Sequence, residues 1–199
     1  MILFPVMILI AWIIIIVLNI LISMPIYNFS VWYIILAVVG STVAVIAIDG
    51  ITSGIVRLLP QKWFNPLSKR FKVFQWEKPF YEAIGIKKWK DLVPELGQFT
   101  NFRKNKIADP YSPEYVYRYL LELVYGEVGH IASYFTGFLI IFIFPLQYAL
   151  CFGVPVAIVN LIMIAMPVMI LRYNYPKLVA LYRLNLKKSQ KEKQKIDET

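Results

Sequence analysis

The sequence predicts an all-α membrane protein: four transmembrane helices in two hairpins, with a cytoplasmic interfacial segment between them. Three observations carry that prediction. First, 59% of the 199 residues are apolar or aromatic, and only 17% are Asp, Glu, Lys or Arg, against about 25% in an average soluble domain. Second, four apolar runs approach or exceed the roughly 20 helical residues that span a hydrocarbon core about 30 Å thick. Third, all 21 Lys and Arg fall in two stretches, 13 from Arg57 to Arg118 and 8 from Arg172 onward. Basic residues stay on the cytoplasmic side of a cell membrane. Both termini and the central segment are therefore expected in the cytoplasm.

The first run, 2–22, holds Asn19 as its strongly polar residue. It has no basic leading region and no small-x-small cleavage site behind it, so it reads as a retained helix. A short turn around Pro25 and Asn28 joins it to the second run, 29–48, which Asp49 ends. These make an N-terminal transmembrane hairpin, 1–59. The third run, 131–152, and the fourth, 154–171, join near Gly153 and make a second hairpin, 130–172. Asn160 and Gln147 can hydrogen-bond between helices. A basic cytoplasmic tail, 173–199, follows.

The segment between the hairpins, 60–129, contains 15 of the 31 aromatic residues, among them Trp63, Trp76 and Trp89. Aromatics mixed with Lys and Arg suit the headgroup level. Short helices packed on the inner leaflet are expected. Ser112, Pro113 and Glu114 form a helix start: a capping hydroxyl, a proline at the first helical position, and an acid at the positive end of the dipole. Tyr117, Leu121, Val124 and Val128 recur at helical spacing, and the helix is expected to run on into the third span. Lys87, Lys88, Trp89, Lys90 and Asp91 form a dense basic patch. It reads either as a solvated, headgroup-facing stripe or as a binding patch with a stacking residue in it.

Composition excludes several chemistries. Cys151 is the sole cysteine and His130 the sole histidine. Disulfides, thiolate zinc sites and multi-His metal clusters are thereby excluded, so no metal and no cofactor are expected. No Gly-x-Ser-x-Gly elbow is present, and the basic residues alternate with membrane-type aromatics without a nucleic-acid motif. What remains is Glu127 and His130, three apart and so on one helix face. A carboxylate beside an imidazole fixes its tautomer and raises its basicity. Glu122 lies about 80° round the helix from His130 and can line the same cleft. The alternative is that His130 marks the headgroup boundary and Glu127 pairs with a lysine. Asp49 and Arg172 are charges at the edges of apolar runs, where unpaired charge is costly. An ordinary cytoplasmic anchor also fits Arg172.

Three blocks of sequence carry a family resemblance. The first runs from Leu59-Pro60 through Trp63-Phe64, Trp76-Glu77 and Phe80-Tyr81-Glu82 to Ile86-Lys87-Lys88-Trp89-Lys90-Asp91 and Pro94. The second is Glu122 with Glu127 and His130. The third is Arg172-Tyr173-Asn174 with Pro176 and Leu178. Together they resemble the small membrane acyltransferases of the glycosyl-4,4'-diaponeurosporenoate acyltransferase family of carotenoid biosynthesis. The chain departs from that pattern at Ile131, Leu171, Tyr175 and Lys177.

The resemblance implies transfer of a fatty acyl group to a hydroxyl of a lipid-linked acceptor such as a glycosylated terpenoid. In that reading His130 is the general base, Glu127 orients it, and Glu122 stands nearby. Lys88, Lys90 and Arg172 bind donor phosphate or developing oxyanion charge, and Trp89 stacks on the donor or holds the interface. Asp91 and Asn174 belong to the same substrate-binding blocks. The partners expected are membrane lipids, a lipid acceptor, and an acyl donor: acyl-CoA, acyl carrier protein or phospholipid. The rival reading is a non-enzymatic membrane scaffold or assembly partner, which four spans and a basic skirt also satisfy.

Overall fold

The computed structural model describes residues 3–93 and 107–197, and these form helices and turns only. Helix α1 is Leu3–Leu18, α2 is Val31–Leu58, α3 is Glu77–Ala83, α4 is Pro113–Thr136 and α5 is Gly153–Asp197. Among the described residues four helical stretches are long and apolar enough to cross a membrane: Leu3–Tyr27, Val31–Leu58, Pro113–Ile143 and Gly153–Glu192. This is a multi-pass membrane protein of the all-α class.

The chain divides into two compact units. The first holds α1, α2 and the Val128–Val168 stretch, which includes the end of α4 and the start of α5. At Asn19–Ser23 the chain widens into a π-turn, with the Met24 amide reaching back to the Asn19 carbonyl. Pro25 has no amide to offer, and its ring crowds the carbonyl four residues earlier, which favours the wider turn. The Asn19 side chain donates to the carbonyls of Ile15 and Cys151, 2.9 Å each. Asn28 ends this stretch in the left-handed region at φ 53°, a conformation Asn tolerates. Ser30 Oγ then accepts the Tyr33 amide at 3.1 Å and caps α2.

Ile34, Val38, Ser41 and Val45 form the buried stripe of α2. Ile34, Val38 and Val45 pack with Ile15, Phe152 and Val156 in one apolar cluster. Polar contacts between helices add to it: Trp12 donates to Thr42 at 2.9 Å, Thr52 meets Thr136 at 2.8 Å, and Ser133 donates to the Asp49 carbonyl at 3.3 Å. Such bonds contribute about 0.6 kcal/mol each in a membrane interior. Gly153 is obligatory on steric grounds, since a Cβ there would lie 2.9 Å from Ile141 Cα.

Three boundaries differ from those read in the sequence. Helix α2 continues to Leu58, so Asp49 lies within it rather than at its end, with the Asn160 side chain beside its carboxylate. The third spanning stretch begins at Pro113 and stops at Ile143, not at 152. The stop is local: Pro145 lacks an amide and forces Phe144 into extended backbone at ψ 153°. Helix α5 passes through Pro167 and Pro176 and continues to Asp197. An interior proline costs about 3 kcal/mol of helix propensity. Tertiary contacts around Pro176 offset it: Tyr175 is buried with its hydroxyl on the Pro66 carbonyl, and Asn185 donates to the Pro110 carbonyl at 2.7 Å.

The second unit holds Leu59–Asp91, α4 up to Glu127, and α5 from Met169 on. Residues 59–91 form the expected short helices: 3-10 turns at Gln61–Phe64 and Lys69–Phe71, then α3, then one turn at Ile86–Trp89. Gly85 at φ 72° makes the reversal between the last two. Phe64 stacks on Tyr125 with centroids 4.3 Å apart. Ser112 caps α4 as expected, accepting the Tyr115 amide at 3.1 Å. The buried stripe of α4 is Val116, Tyr119, Leu120, Leu123, Val124 and Glu127. It lies about one position away from the stripe 117, 121, 124, 128 read from apolar spacing. The two stripes share Val124.

Candidate functional site

The second unit contains a buried ion-pair cluster. Arg172, on α5, grips Glu77 at the start of α3 with two nitrogens: Nε to Oε2 at 2.6 Å and Nη2 to Oε1 at 2.5 Å. Its third nitrogen, Nη1, donates to Glu127 Oε1 at 2.5 Å. Glu77 is 2% exposed and Glu127 3% exposed. Burial of this depth is tolerable because the planar guanidinium matches two carboxylates at once.

Local structure holds Glu77 in place. Its Oε1 accepts the Phe74 amide at 2.8 Å, and its Oε2 accepts the Tyr81 hydroxyl at 2.7 Å, one turn along α3. The first bond ties the acid back to the chain entering α3, and an acid in the first turn also favours the dipole. Burial opposes ionisation of Glu77. The Arg172, Phe74 and Tyr81 bonds outweigh it and hold the carboxyl below its ordinary value. Burial pushes the Tyr81 phenol up, and the adjacent Glu77 carboxylate pushes it further. The hydroxyl therefore stays a donor.

A second, exposed cluster adjoins in sequence. Glu82 pairs with Lys87 at 3.0 Å and accepts the Tyr173 hydroxyl at 3.1 Å. Those two contacts lower the Glu82 carboxyl, and Glu82 in turn raises Lys87. The basic patch is thus partly satisfied by its own neighbours: Lys90 Nζ lies 3.9 Å from Asp91, and Trp89 donates to the Ile84 carbonyl at 3.1 Å. Lys88 is exposed.

The structure therefore joins Glu127 to Arg172, and it joins the patch through Glu82 to Tyr173, the residue after Arg172. Asn174 is half-buried on α5, and Glu122 is half-buried on α4. His130 is half-buried on α4 and belongs to the first unit. Among the described residues it makes no hydrogen bond or ion pair. Glu127 Oε1 faces Arg172, while its Oε2 is buried without a partner among the described residues. Pro94, part of the first sequence block, lies outside the described residues.

Glu77 was not among the site residues read from the sequence. A signal for it existed: Arg172 at the edge of an apolar run calls for a buried acid, and Trp76-Glu77 is one of the few acidic steps in an aromatic context. What spacing could not supply is a pairing between residues 95 apart.

Comparison with known proteins gives the cluster its context. The family described as glycosyl-4,4'-diaponeurosporenoate acyltransferase matches residues 60–184. A protein of that name from Staphylococcus haemolyticus (strain JCSC1435) is 30% identical over 139 residues, covering 66% of this chain and 77% of the relative. No solved structure matches. Glu77, Glu127 and Arg172 all fall inside the matched residues, and so does every other site residue considered above. The chain belongs to the glycosyl-4,4'-diaponeurosporenoate acyltransferase family and is an acyltransferase.

Proposed function

We propose that this protein moves a fatty acyl group from an activated donor to a sugar hydroxyl of a glycosylated carotenoid-type lipid. The acceptor class follows from the name of the relative. The observation that carries the reading is the buried Glu77–Arg172–Glu127 cluster in the matched residues, one turn along α4 from the sole histidine. His130 follows Glu127 by three residues on the same helix, and a positioned imidazole can act as a general base.

In the proposed reaction His130 takes the proton of the acceptor hydroxyl. The oxygen attacks the acyl carbonyl carbon and forms the new ester bond. The donor's C–S or C–O bond breaks, and His130 returns the proton to the departing thiolate or alkoxide. Arg172 fixes one oxygen of Glu127, and the other is buried without a partner among the described residues, free to accept a hydrogen bond from the sugar. The donor is acyl-CoA, acyl carrier protein or phospholipid, and Lys88, Trp89, Lys90, Asp91, Asn174 and Glu122 line the approach of the substrates.

The distribution of Lys and Arg supports a cell-membrane protein with both termini cytoplasmic. In a Cys151→Ser background, an impermeant thiol reagent added to cells should label a cysteine at Asn28 and not one at Lys62. The reverse pattern would invert the topology. For the activity, purified protein in lipid should esterify a glycosylated carotenoid when given an acyl donor. Cells lacking the protein should lose one class of acylated glycolipid. No change in the lipid profile would sink the reading.

A further inference from the structure

We propose that a cavity in the second unit, walled by Lys78 and Lys177, binds the phosphate group of the acyl donor. The inference rests on the acyltransferase reading and names a site for one substrate. The cavity has a volume of about 330 Å³ and is lined by Val73, Lys78, Tyr81, Tyr173, Pro176 and Lys177, with Arg172 in its wall. Much of that volume is open to solvent, so the site takes a small charged group at its mouth rather than enclosing a whole ligand.

Charge accounting selects the ligand. Arg172 was the expected phosphate binder, but Glu77 and Glu127 hold three of its nitrogens. One guanidinium against two carboxylates leaves no positive charge to offer. The Tyr81 hydroxyl is committed to Glu77, and the Tyr173 hydroxyl to Glu82. Lys78 and Lys177 differ. Both are exposed, and neither makes an ion pair among the described residues. The Lys177 ammonium lies 4.6 Å over the Tyr173 ring, a contact that positions the charge without neutralising it. Both lysines line the cavity, and lysine binds phosphate as a point charge. Val73 and Pro176 supply apolar wall for the linker that joins a phosphate to its acyl group. Acyl-CoA, acyl carrier protein and phospholipid all carry a phosphate ester, so the shared chemistry is the phosphate and not the carrier.

The test is a kinetic comparison of the native enzyme with K78A/K177A and K78R/K177R. The double alanine variant should raise the donor KM about tenfold or more, with kcat and the acceptor KM unchanged. The arginine pair should restore the donor KM to within about twofold, because the charge is kept. Added salt should raise the native donor KM and barely move that of the alanine variant. If K78A/K177A does not fold, the single K177Q variant should show the same donor-only effect in weaker form. Donor identity is read in two arms: CoA titrated directly, and vesicles of phosphatidylglycerol against vesicles of neutral lipid. Lysine-dependent binding in either arm supports the cavity and names the source. A donor KM that is the same in all variants, or a rise in the acceptor KM alone, overturns it. If the native enzyme transfers no acyl group, the function reading falls, while lysine-dependent binding of CoA or of inorganic phosphate still decides the cavity.

Discussion

Arg172 and Glu77 lie 95 residues apart in the chain and meet through two parallel hydrogen bonds of 2.6 and 2.5 Å. The pair ties the start of a short helix to the middle of the longest one. Removing one partner strands the other in a site it cannot leave. Glu77→Ala should lower the unfolding free energy in detergent by about 3–5 kcal/mol. Arg172→Lys should cost a comparable amount, since an ammonium cannot serve two carboxylates in a fork. If the effects of the double variant summed, the two residues would be energetically independent.

The Glu77 carboxyl also makes stability depend on pH. Its folded-state value is held below the ordinary 4.5. The stabilisation is therefore complete above that value and lost as the pH falls through the lower folded-state value. Melting curves taken from pH 4.5 downward should show a fall that Glu77→Gln flattens. An identical acid profile in the variant would assign the loss to other groups.

His130→Ala should slow acyl transfer by about 10²–10⁴-fold, the usual contribution of a general base. Thermal unfolding should barely change, because no described hydrogen bond depends on the imidazole. Glu127→Gln should have a smaller kinetic effect and should also loosen Arg172, so its melting temperature should drop. Full turnover by the His130 variant would remove histidine from the mechanism.

Two glycines should answer alanine in opposite ways. Gly153→Ala brings a methyl against the Ile141 backbone, which cannot yield locally, and should destabilise by about 1–3 kcal/mol. Gly40→Ala, within α2, meets nothing within 4 Å. It should be neutral or stabilise by up to about 1 kcal/mol, through helix propensity alone. Chemical denaturation of the two variants side by side checks the contrast.

Much of the fold was legible because lipid solvation imposes a crude, long-range demand: about 20 apolar residues per crossing. The four spanning stretches, the Ser112 cap and the short helices of 59–91 follow from residue type and local spacing. Asp49 shows the limit. A lone acid looks like the end of a span until its partner, the Asn160 side chain, comes from another helix. The packed face of α4 includes Glu127, which a count of apolar residues passes over. In the candidate site, Glu127 and Arg172 stood out as charges in apolar sequence. Their junction, and Glu77 with it, depends on tertiary geometry that no local pattern records.

Helix α5 has 45 residues, and at 1.5 Å each it is a rod about 68 Å long. A bilayer with its headgroups is about 40–45 Å thick. Even at a steep tilt of about 40° the rod spans about 52 Å along the membrane normal, so its polar end must stand in water. At physiological salt, electrostatic attraction fades within about 8 Å. The basic residues of α5 are therefore graded by reach. Any that stand farther than this beyond the lipid surface act on soluble partners rather than on lipid.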